Sequence, residues 1–188
     1  EMLRSLVGSE MCIRDRISLA HAGFFGLGAY ASGILATQLG WSPWAGLLAA
    51  PLLCAAVAGV VGVPTLRLRG HYLAMATLGL NAILSVLFVG LVGLTGGPNG
   101  LIGVPSFALG SLDLGAPGAF FFLAWMVAGL AMLGLRNLAQ ARAGRGLRAL
   151  AASDIAAACM GVPVLRYKLT VFALSAGLAG VAGSLYVH

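Results

Sequence analysis

Charge is scarce in this chain. Only 9% of its 188 residues are Asp, Glu, Lys or Arg, where a soluble domain carries about 25%. Five long stretches lack all four types: 17–39, 44–66, 72–94, 114–135 and 169–187. Such stretches match the length of about 20 apolar residues that crosses a bilayer. A charge at mid-membrane costs at least a few kcal/mol, so its exclusion is what lipid selects. A soluble bundle is excluded because its helices would need a polar outer face. Cysteine is scarce too. Cys12, Cys54 and Cys159 make no CxxC, so neither a disulfide framework nor a zinc site is expected. The spans hold no nucleophile–base pair, which leaves no basis for an intramembrane enzyme. The charged N-terminus and the length of the first stretch do not match a cleavable signal peptide.

Sixty per cent hydrophobic residues then fill an all-α, polytopic transmembrane helical bundle of about five spans. The net charge of +6 is distributed by topology. With the N-terminus inside, Arg67, Arg69 and the segment 136–168 fall inside, whereas the outer gaps 40–43 and 95–113 contain no Lys or Arg. This is the positive-inside rule, so the basic balance points to a membrane surface and not to nucleic acid. Residues 1–16 stand apart: six of the charged residues crowd there, and 5–16 reads as translated adaptor sequence. They are set aside as non-native. The last span stops at the chain end, so a partial transmembrane domain over 17–188 is expected.

Small residues mark the helix contacts. Ala22/Gly26, Gly28/Ser32 and Ala29/Gly33 in the first span, and Ala173, Gly177, Gly180 and Ser184 in the last, permit close backbone approach. The loose GxGxx(G/A) pattern at Gly26–Ala31 lacks the strand and βαβ unit of a dinucleotide site. No cofactor and no metal are expected. Polar candidates for a substrate path are His21 and Asn81, each of which also fits an interhelical hydrogen bond. Thr95, Gly96, Gly97 and Asn99 open the outer loop with turn chemistry. They fit either a plain tight turn or a backbone nest for a carboxylate.

The inner segment 136–168 carries Arg136, Arg142, Arg145, Arg148, Arg166 and Lys168. Within it Ser153 is a good N-cap, Asp154 complements the helix dipole, Gly161 suits a C′ position and Pro163 blocks continuation. The spacing predicts a helix of about seven residues, near 10 Å long, with Ala156, Ala157 and Ala158 as a small face for a partner's socket.

Several stretches together resemble the branched-chain amino acid ABC transporter permeases of the LivM type. They are Ser18-Leu19-Ala20-His21-Ala22-Gly23-Phe24-Phe25-Gly26-Leu27-Gly28-Ala29-Tyr30, Leu66-Arg67-Leu68-Arg69-Gly70-His71-Tyr72-Leu73-Ala74-Met75-Ala76-Thr77-Leu78-Gly79, and Leu94-Thr95-Gly96-Gly97-Pro98-Asn99-Gly100-Leu101. Gly144-Arg145-Gly146-Leu147-Arg148-Ala149-Leu150, Asp154-Ile155-Ala156-Ala157 with Gly161, and Arg166-Tyr167-Lys168 follow in register. The resemblance implies a multi-pass inner-membrane permease subunit that performs no chemistry itself. Its implied partners are a second permease of the LivH type, cytoplasmic ATP-binding subunits, a periplasmic amino-acid-binding protein and the lipid bilayer. It also implies that Asp154, Ile155, Ala156, Ala157 and Gly161 form the coupling helix that enters the ATPase, with Asp replacing the usual Glu. Relatives often carry Glu in the third span where Ala82 stands here, and they extend further at the C-terminus. A urea or short-amide permease of the same superfamily would share these motifs, so the substrate stays open between the two.

Overall fold

The computed structural model of the chain describes residues 20–66, 68, 71–97, 100, 101, 103–105, 107–109, 112, 113, 117–141, 144, 146, 147, 149, 150, 157, 159–161 and 163–188. Its long elements are α1 (His21–Gln38), α2 (Pro43–Thr65), α3 (His71–Gly90), α5 (Pro117–Gln140) and α6 (Val164–Val187). A single turn, α4 (Val92–Thr95), follows α3, and β1 (Ala108–Leu109) pairs antiparallel with β2 (Leu112–Asp113) in the outer loop. The bundle is therefore helical, with one two-residue ladder added. The segment 1–16 lies outside the described residues.

Among the described residues, four helices are long and apolar enough to cross a membrane: Pro43–Thr65, Tyr72–Gly90, Gly118–Gln140 and Val164–Val187. The first expected span forms α1, whose 18 residues reach about 27 Å at 1.5 Å each, but α1 is not among those four. Three expected boundaries move, one of them the end of α5, which runs past Leu135 through Arg136 to Gln140. The third stretch does not run unbroken to Leu94: α3 ends at Gly90, and Leu91 leaves helical geometry at φ −82°, ψ 55°. Thr95 stabilises that break, because its hydroxyl donates to the carbonyls of Phe88 (2.6 Å) and Leu91 (2.9 Å). The last helix starts earlier than expected, directly after Pro163, and takes Arg166 and Lys168 into its first turns. Charged side chains at a span end reach the interface along their own stems, so a helix need not stop where apolar sequence stops.

Packing centres on α1, α2 and α6, which meet pairwise; α3 adds to α1. Glycine sets the spacing. A Cβ on Gly28 would collide with the Gly180 backbone, and one on Gly183 with the Phe25 carbonyl. On the α2 side, a Cβ on Gly180 would lie 2.7 Å from Cys54 Sγ. These backbones touch because no side chain intervenes. Gly23 and Gly26 likewise admit Leu84 and Phe88 from α3. The buried core is Ala20, Phe24, Cys54, Ala58, Leu80, Leu84 and Ala176, with Phe24 edge-on to Phe172 at 5.7 Å. Helix α2 tolerates Pro51 and Pro64 internally, each of which removes one intrahelical hydrogen bond.

The other surfaces are apolar and open. Leu52, Val60, Val86, Phe122 and Met132 are each more than 70% exposed, as lipid or a neighbouring subunit would allow. Helix α5 is the extreme case, with 6% of its most apolar window buried and no extended interface to another helix among the described residues.

Candidate functional site

The two ends of the bundle assemble different residues. At one end Leu66 and Leu68, from the gap after α2, meet Leu147, Leu150 and Lys168 around one cavity. At the other, Trp44, Pro105, Phe107 and His188 come together. The basic inner gaps and the outer gaps without Lys or Arg thus lie at opposite ends, in the arrangement that the charge pattern predicts.

The inner-end cavity measures about 460 Å³. Its polar groups come from three helices: His21 on α1, Thr77 on α3, and Lys168 and Ser175 on α6. His21 Nε2 and Ser175 Oγ are hydrogen-bonded across 154 residues of sequence. Thr77 is 1% exposed and donates to the Ala74 carbonyl at 2.9 Å, so its hydroxyl proton is committed and its oxygen can only accept. A second cavity, about 620 Å³, lies between α5 and α6 and shares His21, Leu147, Val171 and Ser175 with the first.

Asn81 sits half-buried on α3 with its side-chain oxygen against Gly23 of α1, away from these cavity walls. Sequence reasoning named His21 but not Ser175, Thr77 or Lys168. No local pattern could pair His21 with a serine so distant in the chain.

The outer loop closes on itself. Gly96, Gly97, Gly100 and Gly103 all have positive φ (74°, 61°, 68° and 81°), a region open to glycine because it lacks Cβ. Gly96 N–H donates to the Val92 carbonyl at 3.1 Å and Gly97 N–H to Thr95 Oγ1 at 3.2 Å. Gly100 N–H donates to the Gly97 carbonyl at 3.2 Å. These three amides serve the turn, and Thr95 is its buried post; Asn99 lies outside the described residues. Beside the loop, Phe107 is 1% exposed between Trp44 and His188, with ring centroids 5.3 and 4.8 Å away.

His188 completes a relay. Its Nδ1 faces the Pro105 carbonyl at 2.7 Å and must donate, because a carbonyl only accepts. In the single-proton ring Nε2 then accepts from Ser32, 2.8 Å away. Ser184 in turn donates to Ser32 Oγ at 2.9 Å. Both hydroxyls are fully buried. Ser32 and Ser184 were legible in the sequence as small residues, but not as hydrogen-bonding partners.

In the inner segment, Asp154, Ile155 and Ala156 lie outside the described residues. Ala157 is 1% exposed and helical, turned into this chain. Cys159, Met160 and Gly161 are exposed, Gly161 at φ 76°. Tyr167 lies against Gly146, where a Cβ would come within 2.8 Å of its ring, so the segment seats on α6. No group of three metal-ligating side chains occurs among the described residues.

The described residues thus form a multi-pass helical membrane protein with glycine-spaced helices. Comparison supplies the family. A model described as the branched-chain amino acid transport system / permease component matches residues 8–188, and the chain belongs to that family. It is 31% identical over 191 aligned residues to the high-affinity branched-chain amino acid transport system permease protein LivM of Escherichia coli K12. The Salmonella typhimurium LT2 protein of the same name is 32% identical over the same length. Each alignment covers 89% of this chain and 45% of the relative, so the chain spans about half the length of the curated relatives it matches. No solved structure matches significantly. The chain is a multi-pass protein of the bacterial inner membrane.

Proposed function

We propose that this chain is a permease subunit of an ATP-driven importer for branched-chain or other hydrophobic amino acids. The observation that carries this reading is the likeness to LivM over 89% of the chain. The apolar lining of the inner cavities supports a hydrophobic substrate over urea or a short amide, which would leave such walls uncovered. In this reading the chain pairs with a second permease of the LivH type. A periplasmic amino-acid-binding protein delivers substrate, and cytoplasmic ATP-binding subunits hydrolyse ATP.

Coupling would run through the 136–168 loop. Asp154, Ile155, Ala156 and Ala157 form the docking helix, with Ala157 holding it to this chain and exposed Gly161 ending it. ATP binding pushes on that helix, and the spans rock between outward- and inward-facing states; no bond is made or broken in this subunit. The test is ATP-dependent leucine uptake by the assembled transporter in proteoliposomes. Asp154→Lys and Gly161→Trp should abolish uptake and substrate-stimulated ATP hydrolysis while the subunit still inserts at normal levels. Wild-type uptake by both variants at equal protein would refute the coupling assignment.

A further inference from the structure

We infer that the gap between α5 and α6 is a binding site for an anionic phospholipid of the inner leaflet, with one acyl chain between the helices and the phosphate at Arg166. The inference goes beyond the importer reading and rests only on the membrane placement of the chain. The two helices form no extended interface with each other among the described residues. Between them a space of about 620 Å³ is walled by Leu135 and Leu138 from α5 and by Val171, Leu174 and Leu178 from α6. A second space of about 250 Å³ shares Leu138, Leu147, Val171 and Leu174 with it and continues to Arg166 and Tyr167. Together they make one slot, apolar along its length and basic at its mouth. The polar groups in its walls, His21, Ser175 and Thr170, are already hydrogen-bonded within the protein.

Length decides what fits. Tyr167, Val171, Leu174 and Leu178 recur at i, i+4, i+7 and i+11 and so lie along one face of α6. From Arg166 to Leu178 that face runs about 18 Å at 1.5 Å per residue, close to half of the roughly 30 Å hydrocarbon core. Leu123, in the outer half of α5, is buried, whereas Leu130, Met132, Leu133 and Leu135 toward its inner end are exposed. The slot therefore serves one leaflet and not the whole membrane, which is the reach of an acyl chain and not of a transmembrane helix.

Charge decides the headgroup. From residue 17 onward the inner gaps and their flanks hold eight Lys and Arg against one acid, Asp154, since Asp113 lies in the outer loop. Arg166 is exposed at the mouth of the slot, and Arg136 is exposed on α5 directly after Leu135. An arginine takes a phosphate through paired N–H donors, and basic pockets between spans on the cytoplasmic side hold anionic headgroups. A zwitterionic lipid would offer the same chain, but its own cation would face these arginines.

The experiment titrates phosphatidylglycerol and phosphatidylcholine of equal chain length into the detergent-purified full chain and counts bound lipid by native mass spectrometry. The wild type should retain one phosphatidylglycerol about tenfold more tightly than phosphatidylcholine, the scale of one hydrogen bond to a charged group. Arg166→Gln should erase that preference and Arg166→Lys should keep part of it. Leu174→Trp, which fills the slot, should lower retention of both lipids. Lys168→Gln removes the same charge from the neighbouring cavity and should leave the preference intact. Monodisperse elution at the wild-type volume checks that each variant folds. Equal losses in Arg166→Gln and Lys168→Gln would mean a diffuse basic surface and overturn the site, as would wild-type retention in both Arg166→Gln and Leu174→Trp. Displacement of the lipid by an equal concentration of inorganic phosphate would show that the acyl chain contributes nothing, and would overturn it too. If Leu174→Cys crosslinks to a neighbouring subunit in an assembled transporter that holds no phosphatidylglycerol, a protein helix fills the slot and the proposal falls.

Discussion

Ser32 has one hydroxyl and two neighbours that depend on it. It accepts from Ser184 and donates to His188, and both serines are shut away from solvent. A buried polar group left without a partner costs about 1–3 kcal/mol. Ser32→Ala should therefore destabilise the bundle by about that amount, since it orphans two groups at once. Ser184→Ala should cost less, because it removes a donor and leaves the Ser32–His188 bond in place. Thermal unfolding of the detergent-purified protein gives the order directly; equal midpoints for the two variants would contradict the relay. Much of this was hidden in the sequence for a simple reason. A serine on a small-residue face reads as a spacer, and its partner's identity depends on helix register 152 residues away.

At the scale of the element, sequence served well wherever one physical rule dominated. Absence of charge located the long helices, and the four-residue spacing of small residues located the seam between α1 and α6. It served poorly where two effects competed. Arg166 and Lys168 argued against a span, but helix propagation from Pro163 and the reach of their side chains prevailed. The Gly90–Gly93 stretch is apolar enough for a span, yet Thr95 draws the Phe88 and Leu91 carbonyls into a turn. Glycines also differ sharply in consequence. Gly180 faces Cys54 and Ala50, whereas a Cβ at Gly59 or Gly134 would meet nothing within 4 Å. Gly180→Leu should thus force α2 and α6 apart and cost at least about 1–3 kcal/mol through overpacking. Gly59→Leu and Gly134→Leu should be nearly silent. Yield of monodisperse protein and its unfolding midpoint distinguish the two classes, and a silent Gly180→Leu would show that the seam is not close-packed.

The whole molecule has an inside and an outside, and Cys159 can report which is which. It is exposed and free, at the end that carries Lys168. In a variant with Cys12 and Cys54 changed to serine, a membrane-impermeant maleimide should label Cys159 in inside-out vesicles and fail in right-side-out ones. The reverse result would invert the threading and overturn the coupling role proposed for the 136–168 loop.

The glycine seams also determine which parts can shift relative to one another. Since α1 and α6 meet backbone to backbone and α2 closes on α6 at Ala50 and Cys54 and on α1 at Ser32, sliding any one of them would cost the others their fit, and the three are expected to move together. Helix α5 shows no comparable interface to another helix among the described residues. Spin labels on the outer faces of α1 and α6 should keep one separation distribution with and without nucleotide in the assembled complex, while labels on α5 and α6 should change theirs. If the first pair moved and the second stayed fixed, the fulcrum would lie inside the tripod rather than along its border.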